Sequence, residues 1–156
     1  MDYNALKDIF VKLGARNPDD WARSQINDGT PQVARFLFLR QAWRLVISEN
    51  DEHWVQAGAK VDSAAPGGAL GSALRRVLAQ GVSEVDLTTI VRVMQWRLLS
   101  GLCYLIDDPG DVEDEVRNIA WSLFQISESG EPVAVIGGLH ESLLEAEPTG
   151  QEMRQE

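Results

Sequence analysis

With 156 residues, 44% of them apolar, the chain has the size and greasiness of one ordinary globular domain, expected over 1–146. Its net charge of −10 is unevenly placed: from Asp107 onward 13 acidic residues stand against Arg117 and Arg154, a net of −11, while the first 106 residues carry a net of +1. The chain lacks the clustered Lys and Arg that nucleic-acid phosphates need, its apolar runs fall short of the ~20 residues of a membrane span, and a lone cysteine rules out both an internal disulfide and a Cys-based metal cluster.

The opening stretch MDYNALKDIFVKLGA sets Asp2, Lys7, Asp8 and Lys12 among apolar residues, so it reads as an amphipathic helix of a cytoplasmic protein and not as an export signal. Leu6, Ile9, Phe10 and Leu13 recur at helical spacing and Gly14 stands where a helix ends. Asn17 with Pro18 starts a second helix, which Gly29 stops. Thr30 with Pro31 starts a third, apolar nearly all round and running to about Ser48. A helix greasy on every side is expected at the centre of a bundle.

Residues 49–81 are polar at first and then rich in Gly, Ala and Pro. They predict a short helix near Asp51–Ala57, a loop to about Gly68 and a helix to Gln80. Ser83 and Asp86 resemble a capping box opening a second central helix over Asp86–Ile106. Leu87, Ile90, Val91, Met94, Leu98, Leu102 and Leu105 share one face of it, about 120° wide, which is expected to be buried. Val112, Val116 and Ile119 then suggest a helix to about Trp121, and LFQISESGEPVAVIGG a small β-hairpin reversing at ESGE. Residues 147–156 show no apolar period and are expected to be an acidic, frayed tail. The fold expected is mainly α: five to seven helices around two central apolar ones, with that hairpin near the C-terminus.

No motif carries chemistry on its own. GGLH, Gly137–His140, has neither the Gly spacing nor the Lys of a phosphate loop, and His140-Glu141 is followed by Leu144 where a zinc-protease helix needs His. Its glycines read as a turn. The run from Asp107 to Glu115 fails the EF-hand frame, because Gly110 is fourth and the twelfth position is Asn118. Cys103, inside LLSGLCYLI, reads as a small buried hydrophobe. Only His53 and His140 could serve as histidine bases.

The arginines resist a bland explanation. Arg35, Arg40 and Arg44 on one central helix, and Arg92 and Arg97 on the other, place cations on elements expected to be buried. A buried guanidinium needs a counter-charge, supplied either by the chain's own carboxylates from Asp107 to Glu115 or by an anionic ligand held bidentately. With no legible catalytic set and no cofactor motif, the expectation is a non-enzymatic interaction or regulatory protein. Its acidic third suits a basic protein partner, and a second copy of the chain is the other candidate. The competing expectation is a binding protein or enzyme for an anionic small molecule, using those five arginines.

Overall fold

The computed structural model describes residues 1–108, 110 and 113–154. Among them the fold is mainly α, with seven helices and one two-stranded antiparallel hairpin near the C-terminus. Two compact units divide the chain, one formed by Met1–Arg44 with Leu98–Glu156 and the other by Leu45–Arg97.

The first unit opens with α1 (Tyr3–Leu13), where the Asp2 side chain accepts from the Ala5 N–H at 2.9 Å and Gly14, in the left-handed region, closes the last turn. α2 (Pro18–Asp28) starts with proline at its first position, whose missing N–H costs nothing there. α3 (Gln32–Trp43) is the centre of this unit and touches α1, α2 and the C-terminal elements. Phe10, Trp21 and Phe36 meet where α1, α2 and α3 converge, with ring centroids 5.2–5.9 Å apart, stacked or edge-on as their quadrupoles prefer. Leu39 and Leu139 are completely buried, and Trp43 Nε1 donates to the Leu143 carbonyl at 2.8 Å.

The hairpin matches its expected place. β1 (Leu123–Ile126) pairs with β2 (Pro132–Ile136), with Leu123 opposite Ile136 and Phe124 opposite Val135, and a bulge between Gln125 and Ile126. Only one face is covered. Ile136 is buried and β2 rests on α3, while Phe124, Ile126, Val133 and Val135 on the other face are exposed. The short α7 (Leu139–Ser142) follows, with Gly138 left-handed at its cap.

In the second unit, α4 (His53–Ala59) and α5 (Ala69–Ala79) pack closely because glycine lies at the contact. A Cβ on Gly71 would come within 2.7 Å of the Val61 carbonyl oxygen, too near for any side chain. Arg75 donates to the Ala59 carbonyl, and Val55 and Leu74 fill the space between the helices.

Three expectations need correction. The helix expected to reach Ser48 ends at Trp43, because the backbone of Ile47 is engaged elsewhere: its N–H donates to Gln95 Oε1 at 2.8 Å and its carbonyl accepts from Arg92. The helix expected over Val112–Trp121 is absent from the described residues, where isolated turns cover 114–118 and Val112 lies outside the description. Consecutive acids repel one another, and a ten-residue helix is marginal unless it buries a stripe; Val116 and Ile119 are exposed.

The third correction is the largest. α6 (Glu84–Asp107) has the expected extent, yet the apolar face expected to be buried points outward. Ile90 is 58% exposed, Met94 59%, Leu98 67%, Leu102 47% and Leu105 46%. The buried side chains of α6 are Thr88, Arg92 and Cys103, with the Asp107 carboxylate only 6% exposed. Helical periodicity separates two faces without saying which one meets the chain's own core. Here the polar face has specific partners: Trp54 Nε1 donates to Thr88 Oγ1 at 2.9 Å, and Arg92 and Gln95 hold Ile47. No helix among the described residues is long and apolar enough to cross a membrane.

Candidate functional site

The five arginines do not share one environment. Arg35 and Arg40 leave α3 on different sides. Arg35 packs on the C-terminal elements, with Nη1 3.4 Å from Ser142 Oγ, and a Cβ on Gly138 would come within 2.9 Å of its guanidinium. The left-handed backbone is what requires glycine at 138, since the Arg35 guanidinium, at the end of a flexible side chain, could give way. Burial pulls the Arg35 pKa down against the pull of Asp107 and Glu141. Arg40 lines a cavity of about 160 Å³ with Leu13, Arg16, Phe36 and Glu145. Arg44 and Arg97 are exposed, and Arg92 is buried against the Ile47 carbonyl.

Two of the acids expected to neutralise core arginines have other partners among the described residues, while the charge of Asp107 acts on Arg35. Asp114 sits 4.0 Å from Arg117 on the surface, and Asp108 accepts from the Gly110 N–H. Glu113, Asp114 and Glu115 are exposed, and Asp111 lies outside the described residues.

Asp107 has the one buried role, and it is tied to GGLH. Its Oδ2 accepts from the His140 backbone N–H at 2.8 Å and lies 2.6 Å from His140 Nδ1. Burial alone would push this carboxyl up, but the hydrogen bonds from His140 and the Leu139 N–H outweigh it and hold the group below its ordinary value. Asp107 thereby caps α7 from a distance and sets the imidazole, which stands edge-on to Tyr104 at 5.2 Å. The turn read from the two glycines is correct, and the His140–Asp107 pair built upon it is a contact that sequence spacing could not show, since 33 residues separate the partners.

An imidazole oriented by a carboxylate is half of a nucleophilic device. The other half is missing among the described residues, where no hydroxyl or thiol is hydrogen-bonded to His140. Cys103 is 1% exposed, and burial, with Asp107 adding to it, pushes its thiol up to about 11, the wrong direction for a thiolate nucleophile. Groups of three or more side chains able to hold a metal ion are likewise absent among the described residues.

Among the described residues, exposed apolar side chains gather on two regular faces. One is the outward strip of α6. The other is the outer face of the hairpin, where Phe124, Ile126, Val133 and Val135 lie beside exposed Glu128 and Glu131 at the reversal. Scattered exposed hydrophobes are ordinary, but contiguous ones on a regular face mark contact surfaces. No protein-family model, curated protein or solved structure matches this chain.

Proposed function

We propose that this is a cytoplasmic, non-enzymatic interaction protein of regulatory type, and that the outer face of its hairpin receives a protein partner carrying apolar residues flanked by Lys or Arg. The observation that carries this reading is the uncovered sheet face, with four apolar side chains exposed and Glu128 and Glu131 beside them. Exposed apolar groups supply the driving force on association, and the acids steer and select a partner of opposite charge. The exposed acids Glu113, Asp114 and Glu115 extend the same negative potential along the chain. The competing reading, an anionic ligand held by the arginines, lacks a comparable carrier: Arg40 shares its cavity with Glu145 and Glu147, and Arg35 faces Ser142.

Co-purification of the tagged protein from its native cell, with mass spectrometry of proteins and metabolites, tests this. The Phe124→Ser, Ile126→Ser variant, altered only at exposed positions, should lose the partner that the parent retains, and 0.5 M salt should weaken the parent complex. An anionic metabolite that survives those substitutions and disappears with Arg35→Ala would replace this reading with the ligand-binding one.

A further inference from the structure

We propose that the outward strip of α6 is a self-association surface, on which a second copy of the chain lays its own α6 antiparallel. The buried side of α6 is polar and specifically bonded, while Ile90, Met94, Leu98, Leu102 and Leu105 are each between 46% and 67% exposed. At those exposures the five side chains present on the order of 500 Å² of apolar surface on one helix, near the upper limit of what a monomer shows. With exposed Arg97, Gly101 and Tyr104 along one edge of them, the strip approaches the roughly 800 Å² per partner of a standard interface.

Three features commit the occupant to another copy. The first is self-complementarity. Counting from Leu98, Met94 and Leu102 lie four residues to either side, and Ile90 and Leu105 eight and seven. A twofold axis crossing the helix at Leu98 therefore sets Leu98 against Leu98, Met94 against Leu102 and Ile90 against Leu105, so every apolar group meets another, as an isologous interface requires.

The second is charge. From Leu87 to Ile106 α6 carries only Arg92, which is buried on the other side, and Arg97. A basic partner finds no acids along the strip, whereas an uncharged apolar helix suits it. The third is orientation. The acidic third begins at the C-terminal end of α6, so parallel pairing would set two such ends side by side. Antiparallel pairing about Leu98 puts the two Asp107 ends nine residues to either side of the axis, about 27 Å apart along the helix, roughly three Debye lengths at physiological salt, and aligns the helix dipoles favourably. Gly101, with nothing within 4 Å of a Cβ built there, leaves the backbone open to close approach.

Sedimentation equilibrium of the purified full chain from about 1 to 200 µM tests the proposal. The mass should rise from 17.3 kDa towards twice that value, and added salt should tighten association, because each copy carries a net −10. Leu98→Glu, at an exposed position, should weaken it at least tenfold with unchanged circular dichroism, and Leu98→Ala should weaken it less. Under mild oxidation Leu98→Cys should cross-link to itself in high yield and Ile90→Cys should not, the native Cys103 being buried. A chain that stays monomeric at 200 µM, a dimer indifferent to Leu98→Glu, or Ile90→Cys cross-linking as readily as Leu98→Cys each overturns it. This outcome is independent of the hairpin partner, since Phe124→Ser, Ile126→Ser leaves α6 untouched.

Discussion

Leu98→Ala separates an inward α6 from an outward one, and the structure gives its magnitude. Fully burying a leucine side chain contributes about 1.5–3 kcal/mol, and deleting one from a closed core costs about 2–5 kcal/mol once the cavity is included. Leu98 is 67% exposed, so only about a third of that transfer term is at stake, and no closed cavity forms because the site opens to solvent. Alanine is also the better helix former by a few tenths of a kcal/mol. The expected cost in the monomer is therefore about 0.5 kcal/mol. Leu39→Ala on α3, where exposure is 0%, should fall in the 2–5 kcal/mol range and serves as the internal standard. Urea unfolding should be followed by circular dichroism at about 1 µM, where self-association contributes least to apparent stability, and repeated at 100 µM. A cost above 2 kcal/mol for Leu98→Ala at the lower concentration, equal to that of Leu39→Ala, would return the strip to the core of the monomer and refute the inverted helix.

Asp107 is held below its ordinary 3.8, so it contributes stability above that pH which is lost as pH falls through its lower native value; Asp107→Asn should remove this contribution at pH 7 and flatten the acid limb below about pH 4 in a urea midpoint series. Cys103 shifts the other way, from 9.0 to about 11, so stability should decline between pH 9 and 11 as the unfolded thiol ionises first, and Cys103→Ala should abolish that part of the decline. The same thiol should resist a disulfide reagent at pH 8 until the protein is unfolded. Rapid labelling of the native chain would show that the site opens. Arg16 donates to the carbonyls of Leu144, Glu145 and Gly150, and Glu147, 2% exposed, accepts from Thr149. Arg16→Ala should therefore lower the melting temperature by several degrees, and a shift under one degree would mean that those carbonyls are served equally well by water.

Local signals were legible wherever the chemistry is local. Gly14 ends α1, proline starts α2, and the reversal between Ile126 and Pro132 lies where Ser, Gly and flanking alternation put it. What the sequence withheld is direction. A leucine every three or four residues reports that a helix has an apolar side, and burial inside the chain or against a second molecule satisfies that side equally. The distinguishing signal was on the other face of α6: Arg92 and Asp107 lie across the helix from Leu98, and charged groups there need partners that solvent alone does not order. Arg92 reaches the Ile47 carbonyl and Asp107 the α7 cap, and both are long-range contacts invisible to periodicity. GGLH follows the same rule: its glycines announced a turn, while the imidazole they position acquired its partner only when Asp107 arrived from a different element. A helix whose polar face is specifically bonded and whose apolar face is bare leaves an apolar surface that association would cover, the perturbation that Leu98→Ala and Leu98→Glu measure.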